Sequence, residues 1–259
     1  MDSPSQFSRS QVFLVTGASS GIGRAIAAEL FARGATVLAS GRDSKKLRLA
    51  SGSHQAERWF AVPRDLSQGL EQVPAWVQEL SARFGPISGV VHSAGILGTS
   101  PLRVLTRAFA ERVMELNVFA FLMLAKGLVQ DGVRDLRGAS LVLLSSVASQ
   151  RGLSSSLAYS ASKGAANAAV LALSAELAPQ GISCNAILPG VVETEMTASV
   201  EPEQIDYLLA QQFVPGRIQP ADIAEVCTFL LSEQARFITG QLITVDAGCG
   251  VVPGPRPYT

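Results

Sequence analysis

A run of glycines between an apolar strand and an apolar helix constrains this chain more than any other feature. Residues 11–16 (QVFLVT) are rich in β-formers, and residues 24–33 carry the apolar spacing of a helix that stops at Gly34. Glycines in the turn between them would let the backbone approach a pyrophosphate, while free N–H groups at the helix N-terminus face the anion. A tight turn without a ligand is the alternative. We predict a dinucleotide site with contacts from Gly17, Ser19, Ser20, Gly21, Ile22 and Gly23.

Strands and helices continue to alternate along the chain. Further strands are predicted at residues 35–40, 59–62, 87–91, 139–144, 181–188 and 241–245, and helices at 73–84, 106–130, from Tyr159 to about Pro179, and 221–231. This pattern predicts the α/β class, a single-domain Rossmann fold whose doubly wound, seven-stranded parallel sheet has helices on both faces. We expect one domain over residues 1–259, with residues 1–10 disordered and residues 191–220 covering a substrate.

In such a sheet, ligands bind beyond the carboxyl ends of the strands. The second strand ends in Ser40-Gly41-Arg42, without a carboxylate that would hold a ribose 2′-hydroxyl. Arg42 is placed to meet a 2′-phosphate, which favours NADP(H) over NAD(H); a solvated surface arginine is the alternative, and the neighbouring Asp43 weakens the inference. Asp65 and Leu66 follow the third strand toward the adenine, and Ser93, Ala94 and Gly95 follow the fourth toward a ribose.

Tyr159 and Lys163 are four residues apart, which places them one turn apart on one face of a helix. An ammonium beside a phenol favours the phenolate, lowers the phenol pKa and makes it a proton donor. This spacing alone is common on solvated helix faces. Its place at the carboxyl edge of a parallel sheet, downstream of a phosphate turn, favours a catalytic role.

The composition narrows the classes of partner. Lys+Arg and Asp+Glu both total 21, so net charge gives no case for nucleic acid or an acidic membrane surface. The three cysteines are far apart and lack CxxC spacing, which favours neither a disulfide framework nor a metal site. The first residues lack a signal-peptide pattern, and no apolar run approaches the roughly 20 residues that span a bilayer. We therefore expect a cytoplasmic protein that acts on a small molecule.

At this point the chain resembles the single-domain short-chain dehydrogenase/reductases, over residues 11–250. The resemblance rests on Thr16-Gly17 through Gly23, Ser93-Ala94-Gly95, Asn117, Ser146, Tyr159 with Lys163, Pro189-Gly190 and Ile238-Thr239-Gly240. Residues 185–197 (NAILPGVVETEMT) are most similar to the 3-oxoacyl-(acyl-carrier-protein) reductases of that family.

The resemblance implies a mechanism. Tyr159 would protonate a carbonyl oxygen as hydride arrives, and Lys163 would lower the Tyr159 pKa and hold the nicotinamide ribose. Ser146, 13 residues before Tyr159, would polarise the same oxygen; this interval distinguishes it from Ser145. Asn117 would hold a water that links Lys163 to solvent. Cofactor contacts are implied for Tyr159, Lys163, Pro189, Gly190, Val192 and Thr194, the last near the carboxamide.

The expected activity is NADP-dependent reduction of a 3-oxoacyl-type or other apolar ketone, on a free or thioester-bound substrate. One alternative is a reductase or dehydrogenase of secondary metabolites, sugars or steroid-like alcohols. Another is a non-catalytic nucleotide-binding sensor. The resemblance and the apolar helices around Asn117 and Tyr159 indicate a homo-oligomer, a tetramer or a dimer. His92 stands where the family usually has Asn, and we expect it to replace the hydrogen bonds of that residue rather than to act in catalysis.

Overall fold

The computed structural model describes residues 6–50, 57–197 and 202–250. Its strands within these ranges are β1 Val12–Thr16, β2 Thr36–Ser40, β3 Trp59–Ala61, β4 Ile87–His92, β5 Ala139–Leu144, β6 Ile182–Pro189 and β7 Leu242–Val245. Its α-helices are α1 Gly21–Ala32, α2 Ser44–Leu49, α3 Val73–Phe84, α4 Arg107–Met114, α5 Ala120–Leu128, α6 Leu157–Leu177, α7 Pro202–Leu209 and α8 Pro220–Leu230.

The strands form one parallel sheet in the order β3-β2-β1-β4-β5-β6-β7. From β1 the chain adds β2 and β3 toward one edge of the sheet, and from β4 it adds β5, β6 and β7 toward the other edge. The connections that leave β1 and β4 therefore diverge. Such a switch point opens a crevice beyond the carboxyl ends of the strands. The predicted fold class is confirmed, and each predicted strand is present with bounds that differ by at most one residue.

Both faces of the sheet are covered because the strands are apolar on both sides. Along β1, Val12 and Leu14 join a core with α3, α5 and α6, whereas Phe13 and Val15 join a second core with α1 and α8. Burial on both faces explains why the strands appear in the sequence as continuous apolar runs rather than as alternating patterns. None of the helices within the described ranges is long and apolar enough to cross a membrane.

Three sequence expectations need correction. The single helix predicted over 106–130 is divided, because a π-helical turn at Glu115–Phe119 separates α4 from α5 and holds Asn117. Helix α2 was not predicted. The disorder expected for residues 1–10 is wrong from Phe7 onward: Phe7 is 3% exposed, packs its ring 5.1 Å from that of Phe13, and donates its N–H to the Arg33 carbonyl. Residues 1–5 lie outside the described ranges.

Candidate functional site

The glycine turn brings β1 against the loop after β4. Gly17 has φ +69°, and a Cβ there would lie 2.7 Å from the backbone nitrogen of Ala94. A Cβ at Gly23 would collide with the Gly17 carbonyl oxygen. No side chain larger than hydrogen fits at either position, so the backbone itself forms the wall of the site. This is the cradle that a pyrophosphate at the start of α1 requires.

A cavity of about 480 Å³ lies beyond this turn, within the size range of small-molecule sites. Most of the predicted cofactor contacts line it: Gly17, Ser19, Ser20, Gly21, Ile22, Gly23, Arg42, Asp65, Leu66, Ser93, Ala94, Gly95 and Thr194. Sequence reasoning missed further lining residues, among them Ser40, Arg64, Arg112 and Glu115. Tyr159, Lys163, Pro189, Gly190 and Val192 are absent from its lining.

Two arginines stand at one end of this cavity, after neighbouring strands. The Arg64 N–H donates to the Gly41 carbonyl at 3.1 Å, which sets Arg64 beside Arg42. Arg64 Nη2 donates to the Gly69 carbonyl at 3.0 Å, and its guanidinium carbon lies 5.7 Å from the Trp76 ring centroid. Arg64 Nε is buried without a hydrogen-bond partner among the described residues. An unpaired buried donor beside a second cation fits an anionic ligand group.

Asp65 also lines this end of the cavity and keeps its charge. Its pKa is lowered chiefly by the hydrogen bond from the Ser67 hydroxyl, and also by the Ser67 backbone N–H and the positive charge of Arg42. Both Ser67 donors reach the same oxygen, Oδ1. The second carboxylate oxygen is therefore left to accept a hydrogen bond from a group in the cavity.

Lys163 is buried deep at the carboxyl end of β5. Its side chain is 5% exposed, and Nζ donates to the Leu144 carbonyl at 2.7 Å. Burial lowers the Lys163 pKa to about 8. A Cβ on Gly95, at the edge of the cavity, would lie 3.6 Å from this Nζ and 3.0 Å from Asn117 Oδ1. The structure thus brings Lys163, Asn117 and the cavity together at Gly95.

Tyr159 behaves differently from the sequence expectation. Burial raises its pKa, while a hydrogen bond from the Ser146 hydroxyl lowers it. Lys163 Nζ lies 5.7 Å from the Tyr159 ring centroid and is directed to the Leu144 carbonyl. The expected lowering of the phenol pKa by Lys163 is wrong for this structure, because loss of hydration outweighs the attraction of the phenolate to neighbouring groups.

Ser146 is held on the turn after β5 by a hydrogen bond to its own side chain. Its backbone is extended (φ −168°, ψ 152°), and it caps the short 3₁₀ turn Val147–Ser149. The Ala148 N–H donates to Ser146 Oγ at 3.1 Å. This bond uses one lone pair of the oxygen and leaves the Ser146 O–H to donate toward Tyr159 or a carbonyl oxygen beside it.

Asn117 is fully buried in the π-helical turn, and its amide is bonded to protein groups. Oδ1 accepts from the Ile96 N–H at 3.0 Å, and Nδ2 donates to Ser162 Oγ at 3.0 Å and to the Ile96 carbonyl at 3.3 Å. Ser162 Oγ in turn donates to the Tyr159 carbonyl at 2.7 Å. Asn117 therefore joins the loop after β4 to the helix that carries Tyr159 and Lys163.

His92 is a buried hydrogen-bonding residue. Its Nδ1 lies 3.0 Å from Thr16 Oγ1, and its Nε2 lies 3.0 Å from the Leu116 carbonyl, which can only accept. Nε2 therefore carries the proton, and Nδ1 accepts from Thr16, which itself accepts from the Ala94 N–H. Burial, aided by the charge of Lys163, lowers the His92 pKa to about 3. A neutral ring with both nitrogens bonded agrees with the hydrogen-bonding role expected from the sequence.

The segment after β6 closes over the glycine turn. A Cβ at Gly190 would lie 2.9 Å from the Asp246 Cα, and the buried Val192 forms a β-bridge with Ile218. A Cβ at Gly21 would lie 3.3 Å from Thr194 Cγ2. Of the predicted contacts in this segment, Thr194 therefore stands directly at the phosphate turn, while Pro189, Gly190 and Val192 form the backbone behind it.

Comparisons with known proteins agree with this geometry. A family model described as enoyl-(acyl carrier protein) reductase matches residues 17–250. The chain is 33% identical to acetoacetyl-CoA reductase of Shinella zoogloeoides, over 92% of this chain and 98% of that protein. It is 30% identical to the 3-oxoacyl-(acyl-carrier-protein) reductase FabG of Vibrio cholerae, over 92% and 96% of the two chains.

Solved structures show the same fold. A variant of actinorhodin polyketide ketoreductase with NADPH superposes with a TM-score of 0.86 at 29% identity, over 96% of this chain and all of that one. A 7α-hydroxysteroid dehydrogenase with NADH and a 7-oxo bile acid gives 0.85 at 26% identity, over 94% and 96% of the two chains. The chain belongs to the short-chain dehydrogenase/reductase family and is an oxidoreductase with a nicotinamide cofactor.

Proposed function

We propose that this protein reduces a 3-oxoacyl-type ketone, or another apolar carbonyl compound, to a secondary alcohol with NADPH. The observation that carries the proposal is the grouping of the Ser146 hydroxyl, the Tyr159 phenol and the Lys163 ammonium at the carboxyl end of β5, beside the dinucleotide cavity. A bound NADPH supplies the hydride to the carbonyl carbon. The remaining chemistry consists of holding the carbonyl oxygen and giving it a proton.

Tyr159 is the proposed proton donor. A phenol with a raised pKa is fully protonated near neutral pH, so the donor form predominates before reaction. The negative charge that develops on the carbonyl oxygen is stabilised by the Ser146 O–H, while the Ala148 N–H donates to the Ser146 oxygen. Lys163, with its pKa lowered to about 8, is close enough to neutrality to return a proton to Tyr159.

Asn117 has a proposed role in that proton return. Its side chain holds the Ile96 backbone and, through Ser162, the first turns of α6, so the loop beside Lys163 keeps its shape. A water held at this point would link Lys163 to solvent, as the resemblance to the family implies. Asn117 is thus proposed to support the proton path rather than to donate a proton itself.

The preference for NADPH is proposed from Arg42 and Arg64. Both line one end of the cavity, and a 2′-phosphate there would give the Arg64 Nε a hydrogen-bond acceptor. A steady-state comparison of NADPH with NADH tests this preference. A kcat/KM that is equal for the two cofactors, or greater with NADH, would contradict it.

The substrate class is proposed from the segment 191–220. Its described part exposes apolar side chains, with Tyr207, Phe213 and Val214 each more than half exposed. Such a surface suits an acyl chain better than a heavily hydroxylated sugar, and the acyl-thioester substrates named for two relatives are of this kind. A steroid-like ketone presents similar apolar area and is the second candidate, supported by the likeness to a hydroxysteroid dehydrogenase. A panel of 3-oxoacyl thioesters, free ketones, oxosteroids and ketoses separates these classes.

Tyr159→Phe tests the mechanism. We expect kcat for ketone reduction to fall by about 10²–10⁴, the usual contribution of a general acid, while NADPH binding changes little. Ser146→Ala is expected to lower kcat by a factor on the order of 10², and Ser145→Ala, the adjacent serine, is its matched control. Unchanged turnover in Tyr159→Phe would show that the catalytic assignment is wrong.

We also propose that the protein is a homo-oligomer, a tetramer or a dimer. Phe119 at the π-helical turn and Leu157 and Leu171 on α6 are about half exposed, and a second copy of the chain could cover them. Sedimentation equilibrium tests this proposal, and a monomer at micromolar concentration would refute it.

A further inference from the structure

We infer that Asn167 and Ser149 are positioning residues that hold Ser146 in register with the helix of Tyr159 and Lys163. The inference rests on the proposed function, because it concerns how the proposed catalytic hydroxyl is aimed. It adds two residues to which neither the resemblance nor the cavity lining draws attention.

The two residues form a partly buried chain of hydrogen bonds. Asn167 lies on α6 one turn after Lys163 and is 7% exposed. Its Nδ2 donates to Ser149 Oγ at 2.8 Å, and Ser149 Oγ donates to the Ser146 carbonyl at 2.6 Å. The Ser149 hydroxyl has a single hydrogen, which is given to the carbonyl, so Ser149 must accept from Asn167. The direction of the chain from α6 to Ser146 is therefore fixed.

This chain connects the two elements that must be held together. Helix α6 carries Tyr159 and Lys163, while Ser146 stands on the turn after β5. Ser149 holds the carbonyl of Ser146, and the Ala148 N–H holds its Oγ. With both ends held, the Ser146 O–H is the group of that residue left to rotate, and it is within hydrogen-bonding reach of Tyr159. Small errors in such alignment lower catalytic rates steeply.

The packing of Asn167 supports a role beyond stability. Its Oδ1 is buried and has no hydrogen-bond partner among the described residues. An unpaired buried acceptor is unfavourable, and an apolar side chain would avoid it. Packing alone therefore does not account for an amide at this position. The hydrogen bond that the Asn167 Nδ2 donates to Ser149 does account for an amide here.

The test compares Ser149→Ala, Asn167→Ala and the double variant with the wild-type protein. Each single variant is expected to lower kcat by roughly tenfold, a part of the loss that misalignment can produce. KM and the NADPH dissociation constant should stay within about twofold, because neither residue lines the cavity. The double variant should be no worse than either single variant, since one break already interrupts the chain. Ser149→Thr keeps the hydroxyl and is expected to keep most of the activity.

Ser183→Ala is the matched control. Ser183 Oγ donates to Ser140 Oγ at 3.0 Å near the N-terminal ends of β6 and β5, far from the turn after β5, so this variant also removes one serine-to-serine hydrogen bond. Its thermal midpoint should fall about as far as that of Ser149→Ala, with kcat unchanged. Asn185→Ala removes a buried amide on β6 that donates to the Ile238 carbonyl and accepts from the Gln241 N–H, and it serves in the same way for Asn167→Ala.

Three results would overturn the inference: wild-type kcat in both single variants, additive losses in the double variant, or equal losses of kcat in the two controls. Tyr159→Phe, assayed in parallel, distinguishes failure of the positioning role from failure of the proposed function. If Tyr159→Phe is inactive while Ser149→Ala and Asn167→Ala are fully active, only the positioning role is wrong. If Tyr159→Phe is as active as the wild type, the proposed mechanism itself fails.

Discussion

The two halves of the site differ in the atoms that form them, which are backbone atoms in one half and polar side chains in the other. Around Gly17 and Gly23, at the ends of β1 and β4, the surface is backbone, and function depends on the absence of side chains. Around Ser146 and Lys163, at the end of β5 and on α6, function depends on polar side chains held out of water. The first half should lose cofactor binding when a side-chain atom is added to one of its glycines. The second half should fail in activity when a side chain is removed, although removal of the buried charge of Lys163 should stabilise the fold.

The largest effect on cofactor binding is expected when a methyl group is added to the backbone half. In Gly23→Ala the new Cβ meets the Gly17 carbonyl, and neither backbone segment can move without opening the turn. Overpacking of this kind costs up to about 3 kcal/mol, which is on the order of a hundredfold in affinity. Isothermal titration with NADPH measures the loss. Gly152→Ala is the control, because a Cβ there meets nothing within 4 Å; equal affinities in the two variants would contradict the backbone account.

Removal of the buried cation should have the reverse effect on stability. In the unfolded chain Lys163 has its ordinary pKa of 10.5, whereas burial lowers it to about 8. The difference corresponds to about 3 kcal/mol of cost to the folded state. Lys163→Met avoids this cost but loses the bond to the Leu144 carbonyl, so we expect a gain of about 1–2 kcal/mol in unfolding free energy at pH 7 and loss of activity.

The pH dependence of the unfolding free energy tests this prediction more sharply. Between about pH 8 and 10.5 the folded wild-type protein releases the Lys163 proton while the unfolded chain keeps it, so wild-type stability should rise with pH relative to the variant. Denaturant titrations at pH 7 and pH 10 should show the advantage of Lys163→Met shrinking. Lys126→Met, on the exposed face of α5, should show no such change. A pH-independent advantage of Lys163→Met would refute the pKa argument.

Much of the backbone half could be predicted from the sequence, because a strand, a glycine turn and a helix are local patterns. The half around Ser146 and Lys163 could not be predicted in this way. The π-helical turn at Asn117 and the pairing of Asn167 with Ser149 depend on segments far apart in the chain. The direction of the Tyr159 pKa shift depends on burial, which i,i+4 spacing does not reveal. Arg64 was missed because its place beside Arg42 follows from the pairing of β2 with β3.

His92 joins the end of β1 to the π-helical turn and should make the protein sensitive to acid. Its pKa falls from 6.5 in the unfolded chain to about 3 in the folded one, so the unfolded chain binds more protons between these values. Stability from the neutral ring is complete above pH 6.5 and should decrease by about 1.4 kcal/mol per pH unit below it. His92→Asn should lose some stability at pH 7, because Asn cannot reach both Thr16 and the Leu116 carbonyl, but should show a shallower acid slope. Thermal midpoints from pH 7 to pH 4.5 measure both, and parallel slopes would disprove the assignment.

The smallest effect is expected at Arg64, where the backbone half does use a side chain. A partly exposed arginine at a phosphate contributes up to about 1 kcal/mol, so Arg64→Ala should weaken 2′,5′-ADP binding about threefold to fivefold. Binding of 5′-AMP, which lacks the 2′-phosphate, should be unchanged, and Arg236→Ala, near the start of β7, should affect neither ligand. The difference should shrink at high salt, since it is electrostatic. An equal loss for both ligands would instead assign Arg64 to the turn that it anchors through the Gly69 carbonyl. In that case the backbone half would depend on Arg64 for its shape, and Arg42 alone would account for a preference for NADPH.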